Sequence, residues 1–407
     1  MKGNLVVLQS GGPTSVINSS LYGVILQAKK EKDVEEVYGS LNGIDGIIND
    51  ELINLSLEDE KELKYLLTTP GAALGSTRHR LSNDLNDKVY QDIYDCFVKH
   101  NIRYFILIGG NDSMDTANKV ANYFKTKDYK CNIIGVPKTI DNDLIITDHT
   151  PGYGSAIKYI SNVFAEVKVD MSSYKKGKVT IVEVMGRDAG WLTAGSKLAS
   201  LINLGPDLIY LPESNFSLDK FLKDVEKVYK ENKQVLVAVS EGVKEDGQYI
   251  LEKYGSESCK DGFGHVQLGG VAACLADIVN KRLNLPIRAM ELNLPQRCST
   301  HLPCKTDIME AKKCGEKGVK LVVNGQTGKM VIMKRVSTNP YKIAYDSVDL
   351  NLIANQIKTI DQNWIINGND VSNDFILYAK ELIKGEIKIK LNDGLARFVK
   401  LSKIKVK

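Results

Sequence analysis

Short apolar runs recur along the chain, each followed by glycine or small polar residues and then by a stretch whose apolar positions fall three and four apart. Parallel strands joined by crossover helices are written in this way. "NLVVLQ" (4–9) leads through "SGGPTS" into a helix predicted from about Val16 to Lys29, and "RYFILI" (103–108) leads through "GGNDS" into one from about Met114 to Phe124. A third run, "NIIGV" (132–136), is followed by "PKTIDND" and then by "TPGYGSAIKYISNVFAEV", in which Ala156, Ile157, Ile160, Val163, Phe164 and Val167 share one helical face. "KVTIVEVMG" (178–186) and "QVLVAVSEG" (234–242) predict two further strands, and Val271, Cys274, Leu275, Ile278, Val279 and Leu283 mark a helix after "GHVQLGG". "VKLVV" and "KMVIMKR", on either side of "NGQTG" (319–335), predict a hairpin. Polar and Gly-rich turns at the C-terminal ends of parallel strands are where open α/β sheets bind ligands.

The length of 407 residues exceeds what one hydrophobic core supports, so the α/β pattern predicts a two-lobed enzyme. With 43% hydrophobic and 26% charged residues there is no compositional case for disorder. No apolar segment approaches the roughly 18 residues of a membrane span, and "MKGNLVVLQSGG" is too short an apolar run for a signal peptide, which predicts a cytoplasmic protein without a membrane partner. Cys96, Cys131, Cys259, Cys274, Cys298, Cys304 and Cys314 are scattered and form no CxxC pair, so they read as reduced, mostly buried thiols. Net charge is only +4, although Lys384 to Lys407 carries a local +6. There, "EIKIKL" and "KIKVK" alternate apolar residues with lysine, the pattern of half-buried strands kept soluble on one face rather than of a nucleic-acid-binding arm.

"PKTIDNDL" places Lys138, Asp141 and Asp143 in one turn directly after an apolar run. Three other turns are glycine-paired: Gly11-Gly12, Gly109-Gly110 and the Gly71/Gly75 segment "PGAALGSTRHR", which adds Arg78 and Arg80. Without Cβ atoms, backbone N–H groups at a helix start approach phosphate oxygens closely, although tight strand-to-helix packing selects the same residues. The chain has no GxxxxGK[ST] and no GxGxxG between a strand and a helix, which removes the P-loop and dinucleotide-fold readings. What remains is a phosphate site built from several loops, with Arg78 and Lys138 as cations and Asn111, Asp112, Asp141 and Asp143 as magnesium or proton-handling groups. His79, His100, His149 and His301 show no metal-ligand spacing and read as core or surface histidines, and Tyr153 reads as core.

These motifs, taken together, resemble the phosphofructokinases of the glycolytic type, most closely their pyrophosphate-dependent branch. The resemblance runs in order through "LQSGGPTSVIN", "LGSTR", "IGGNDS", "PKTIDNDL", "VEVMGR", "SEG", "FGHVQLGG" and "TGKMV", roughly residues 4 to 335, and "AYDSVDLNLIANQIKTI" is similar to the same branch. It implies two doubly wound, Rossmann-like lobes with the active site in the cleft between them. Residues 1–153 and 267–318 would form the phosphoryl-donor lobe, and 154–266 and 319–407 the sugar-phosphate lobe with a C-terminal extension. It also implies magnesium as cofactor, pyrophosphate and fructose 6-phosphate as substrates, no nucleic acid, and a homo-oligomer, dimer or tetramer. Residue by residue, Asp141 matches the base that activates the 1-hydroxyl of the sugar and Thr139 a sugar-binding threonine, with Asp143 the second aspartate of that motif. Met185, Gly186 and Arg187 match the sugar-binding "MGR", Glu241 a glutamate on sugar hydroxyls, and His265 a histidine near the 6-phosphate. Gly12, Gly110, Ser113 and Arg78 fall in the phosphoryl-donor loops. Lys178 matches a basic residue reached from the neighbouring subunit, and Lys260 lies one place from another.

Two departures concern the donor. ATP-using members carry glycine where this chain has Asp112 and Lys138; here the aspartate repels an α-phosphate and the lysine fills its space and can pair with pyrophosphate. Asn111 stands where those enzymes have a magnesium-linked aspartate, so Asp112 takes over part of that task. A third departure is Leu268, where many members use an arginine on the 6-phosphate; Arg297 of "NLPQR" is the expected replacement. The alternatives are an ATP-dependent phosphofructokinase and a non-catalytic regulatory subunit of a hetero-oligomer, and sugar phosphates such as sedoheptulose 7-phosphate stay open as substrates.

Overall fold

The apolar runs of the first third of the chain are buried on both faces, which is what a parallel sheet covered by helices requires. In the computed structural model, which describes residues 1–255, 269–353 and 356–407, they become β1 (Gly3–Gln9), β2 (Val34–Ser40), β3 (Leu52–Asn54), β4 (Ile102–Gly109) and β5 (Asn132–Pro137). Between them lie α1 (Ile17–Ala28), α2 (Ile44–Ile48), α3 (Glu60–Leu63), α4 (Lys88–Lys99) and α5 (Asn111–Lys125). Leu5 and Val7 of β1 pack with α1, while Val6 and Leu8 face α4 and α5, so alternate residues serve two cores. Each such buried aliphatic side chain contributes about 1.5–3 kcal/mol.

The middle of the chain builds a second doubly wound unit. It runs through α6 (Tyr153–Ser172), β6 (Lys178–Val184), α7 (Trp191–Gly195), β7 (Leu208–Tyr210), α8 (Leu218–Asn232), β8 (Gln234–Ser240) and the small hairpin β9 (Lys244–Glu245) and β10 (Gln248–Tyr249). It then continues through α9 (Ile250–Tyr254), α10 (Val271–Leu283), β11 (Ile287–Glu291) and α11 (Pro295–Cys298). Val182 and Val184 face the α6 side, and Val179 and Ile181 face α8 and α10. The chain then returns to the first unit with α12 (Lys305–Val323) and the hairpin β12 (Lys329–Thr338) and β13 (Tyr341–Asp349), before α13 (Asn373–Ala379) closes against the second.

The sheet orders are β13-β12-β5-β4-β1-β2-β3 and β11-β6-β8-β7. In the first, β1 leads to β2 on one side while β4 lies on the other, which makes the C-terminal ends of β1 and β4 a topological switch point. The same ends carry the paired glycines.

Four expectations are corrected here. "VKLVV" (319–323) is not the first strand of a hairpin but the last turn and a half of α12, whose buried face Ile308, Ala311, Cys314, Gly315, Val319 and Val322 holds the helical period across it. The hairpin partner of "KMVIMKR" is the following segment, β13. "EIKIKL" has the predicted alternation, with Ile387 and Ile389 partly covered and Lys388 and Lys390 exposed, but only Leu391 enters a strand; "KIKVK" pairs with the first sheet at a single bridge, Lys405 to Ile53. The lobe boundaries also differ from the sheets. Of 267–318, Val271–Leu283 and Ile287–Glu291 belong to the second sheet, and Lys329–Asp349 extends the first, because β11 pairs with β6 and β12 with β5. α5 begins at Asn111 rather than near Met114, since Gly110 takes an extended conformation and its carbonyl accepts from the Ser113 and Met114 N–H groups. Small polar residues are favoured in that first turn.

Candidate active site

Register sets the donor side. Gln9 pairs with Ile108, and Gly109 with Pro137, so the turns after β1, β4 and β5 open side by side. Gly11, at φ 76°, sits in the left-handed region, its N–H donates to the Thr77 carbonyl (3.1 Å), and Ser76 Oγ donates to the Gly11 carbonyl (2.7 Å). Those contacts stitch "GSTR", with Arg78 exposed at its end, to Gly11. Gly110 opens α5, with Ser113 buried in its first turn and Asn111 donating its amide to the Gln356 carbonyl (2.7 Å). Asp112 is exposed and takes both oxygens to Arg80 (3.1–3.2 Å), a partner that the sequence motifs did not single out.

Lys138 follows β5 and is only 2% exposed; its Nζ donates to the Gly12 carbonyl (2.6 Å) and its N–H to the Gly109 carbonyl (2.9 Å). The ammonium thus fills the space between the two glycine turns. Burial pushes its pKa down to about 8, against the pull of Asp141 and Asp143. Thr139 Oγ1 accepts from the Asp141 N–H (3.1 Å). Burial raises the Asp141 carboxyl, opposed by Lys138 and Arg187, and burial with the Asp141 charge raises Asp143 to about 7. Asp143 Oδ1 is buried without a hydrogen-bond partner.

Across the cleft, β6 and β8 end together, Val184 opposite Ser240. Glu241 Oε1 accepts from the N–H groups of Gly186 and Arg187 (3.2 Å each), and a Cβ on Gly242 would collide with the Arg187 carbonyl, so this turn fits only with glycine there. Gln296, buried in α11, accepts from the Met185 N–H (3.1 Å) and seats its neighbour Arg297 toward the first sheet, where the guanidinium lies 3.5 Å from where a Gly12 Cβ would stand. Lys138, Arg187 and Arg297 therefore converge on the Asp141 carboxyl, whose pKa burial raises, and Arg78 adds its charge on the Lys138 side. Such an arrangement can take a proton from an alcohol and hold a transferring phosphoryl group.

Not every expected residue is in this cluster. Lys178 lies at the opposite end of β6 from Met185, about 20 Å away at roughly 3.3 Å per residue. It lines a separate cavity of about 330 Å³ with Lys176, Tyr174 and Arg288. Lys260, His265 and Leu268 lie outside the described residues. Among the described residues, the group of three metal-ligating side chains is Asp50, Cys96 and His100, at the end of β4 remote from Gly109. Motif reading named Arg80 without giving it a role and missed Gln296, Lys358 and Tyr378; the last two touch the Asp141 turn only through backbone carbonyls and the Asn142 amide, a role no side-chain motif advertises.

The phosphofructokinase family model matches residues 4–322. A pyrophosphate–fructose 6-phosphate 1-phosphotransferase of Rhodospirillum rubrum is 39% identical over 94% of each chain. A sulfofructose kinase of Alkalicoccus urumqiensis is 33% identical over 85% of this chain and 87% of its own. The crystal structure of a pyrophosphate-dependent phosphofructokinase from Nitrosospira multiformis superposes with a TM-score of 0.91 at 35% identity, covering 100% of this chain and 98% of that one.

Proposed function

The chain belongs to the phosphofructokinase family, and from that premise we propose that it transfers a phosphoryl group from magnesium pyrophosphate to the 1-hydroxyl of fructose 6-phosphate. The observation that carries the donor assignment is the Lys138 ammonium, buried against the Gly12 carbonyl where a longer polyphosphate would need room. In this reading the Asp141 carboxylate takes the hydroxyl proton, the sugar oxygen attacks the nearer phosphorus, and the P–O–P bond breaks to release phosphate. Lys138, Arg78 and the loops of Gly12, Gly110 and Ser113 hold the pyrophosphate. Thr139, Met185, Gly186, Arg187 and Glu241 hold the sugar, with Arg297 on its 6-phosphate. One anhydride is exchanged for one ester without a nucleotide, so the reaction runs in both directions.

The donor set fits magnesium: the orphaned Asp143 Oδ1 adds to Asp112 and the Asn111 carbonyl oxygen as hard oxygen ligands beside the phosphate loops. When bound, the ion neutralises charge on the phosphate oxygens. Lys178 lies outside its own chain's cleft, which supports a reading in which it serves the sugar phosphate of a neighbouring subunit; in this reading the enzyme is a homo-oligomer, and it works in the cytoplasm.

Initial rates with fructose 6-phosphate and either pyrophosphate or ATP test the reading. Pyrophosphate-dependent turnover is expected; preference for ATP would overturn the donor assignment, and silence with both would move the chain to a regulatory role. The sulfofructose kinase relative makes sulfofructose the informative competing acceptor.

A further inference from the structure

The family match ends at residue 322, yet the turn that carries Asp141 and Asp143 is held from behind by residues well beyond it. The Lys358 N–H donates to the Asp143 carbonyl (2.7 Å), and its Nζ donates to the carbonyls of Thr147 (3.2 Å) and Asp148 (2.5 Å). Tyr378 OH donates to the same Asp148 carbonyl (2.8 Å) and accepts from the Asn142 amide (3.1 Å). Asn142 stands between the two aspartates at φ 53°, a left-handed conformation, so a rotation there would swing both carboxylates.

The same segment reaches the other side of the cleft. Trp191 Nε1 donates to the Lys358 carbonyl (2.8 Å), and Glu213 accepts from both the Ile360 N–H (3.1 Å) and the Gly190 N–H (2.9 Å). Gly190 and Trp191 follow the Arg187 turn in sequence. One short stretch of backbone therefore fastens the base-carrying turn to the sugar-facing turn of the second sheet. We propose that Lys358 and Tyr378 are positioning residues: they fix the Asp141–Asp143 turn relative to the Arg187 turn, so that the base and the sugar hydroxyl meet at reactive distance.

Burial of a lysine against two backbone carbonyls and a Trp191 ring 4.8 Å away is costly unless its donors are used, and burial lowers the Lys358 pKa to about 8. Here they are used on the turn. Misplacement of a reacting group by about 1 Å can cost on the order of 100-fold in rate. Loss of one of several clamps is expected to cost about a tenth of that factor.

The inference rests on Asp141 being the base, so Asp141→Asn is assayed beside it. Tyr378→Phe keeps the ring and removes the hydroxyl. It is expected to lower kcat about tenfold while leaving both KM values within about twofold and the melting temperature near wild type. Because Tyr378 acts through Asn142, adding Asn142→Gly, which removes the amide but keeps the left-handed backbone, to Tyr378→Phe should lower kcat by less than a further twofold or so. Lys358→Met should also act on kcat rather than KM. Unchanged kcat, a rise of KM in step with its fall, additive losses in the double variant, or a loss that tracks a lower folded fraction would each overturn the proposal. Retained turnover in Asp141→Asn would instead overturn the base assignment.

Discussion

In the proposed reaction Lys138 and Asp141 divide the chemistry between a buried cation and a carboxylate whose ordinary pKa is overridden by its surroundings. The sign of the pH dependence follows. The base must be ionised, so activity rises with pH as the Asp141/Asp143 pair, with Asp143 near about 7, loses its proton; the ammonium must be charged, so activity falls as Lys138 discharges near about 8. A kcat/KM profile for pyrophosphate should therefore be a narrow bell, and Lys138→Met should flatten its alkaline limb; an unaltered limb would assign that step to another group. Asp112→Gly with Lys138→Gly should open the donor site and raise the ATP/pyrophosphate rate ratio. Arg80→Ala frees the Asp112 carboxylate from its ion pair and should weaken pyrophosphate binding through unscreened repulsion, by a modest factor because both partners are exposed. That Lys138, Asp141 and Arg187 would come together was legible from motif and position after a strand. Arg80 was visible only as a second arginine in "STRHR", because its role comes from a contact with a residue thirty-two positions away.

Elements decide how firmly those residues are held. The His149 imidazole, on the same long turn as Asp141, is fully buried and bonded to Glu310 of α12 (2.7 Å), which also accepts from Tyr341 of β13 (2.7 Å). Burial alone would lower its pKa; the Glu310 and Asp148 carboxylates outweigh it and raise it to about 9. A group whose folded pKa is raised stabilises fully below its unfolded value near 6.5 and loses that contribution as pH climbs through about 9. Urea unfolding should therefore show His149→Gln destabilised by about 3 kcal/mol near pH 6, where a buried pair is broken, with the deficit shrinking as pH rises from about 6.5 and gone above about 9. A deficit independent of pH would deny the ion pair its role. α12 itself was the element least legible from sequence. Its last residues, "VKLVV", include three valines and read alone as a strand, whereas the longer helical period and the close crossing with α1, where Cβ atoms on Gly23 or Gly315 would strike the partner backbone, fix them as helix. Element type was clear wherever an apolar run ended in a chemically marked turn.

On the scale of the molecule, two doubly wound sheets face their C-terminal ends toward one cleft, and the chain's last third crosses back to tie them. The basic tail is tied down onto the first lobe, with its lysines left exposed. Arg397 meets Glu62 (2.6 Å), and Glu58 accepts from the backbone of Ser402 and Lys403 (2.8 Å each), which makes the segment a strap over the first lobe. Val399 also donates to Thr69, just ahead of the Gly71/Gly75 donor loop. Deleting residues 388–407 should lower the melting temperature and raise the KM for pyrophosphate more than that for the sugar; equal changes in both would limit the strap to stability. The two-lobed α/β class followed from length and pattern, whereas the lobe boundaries did not, because strand pairing across sequence breaks such as β12 with β5 leaves no local mark. The account as a whole stands on a buried lysine that admits pyrophosphate and a nearby aspartate that deprotonates the sugar. The most direct test is the initial rate of fructose 1,6-bisphosphate formation by the purified chain with magnesium and either pyrophosphate or ATP, with Asp141→Asn alongside. Turnover with pyrophosphate, little with ATP, and a loss of about 100-fold or more in the variant is the predicted result; faster turnover with ATP, or an active Asp141→Asn enzyme, would contradict it.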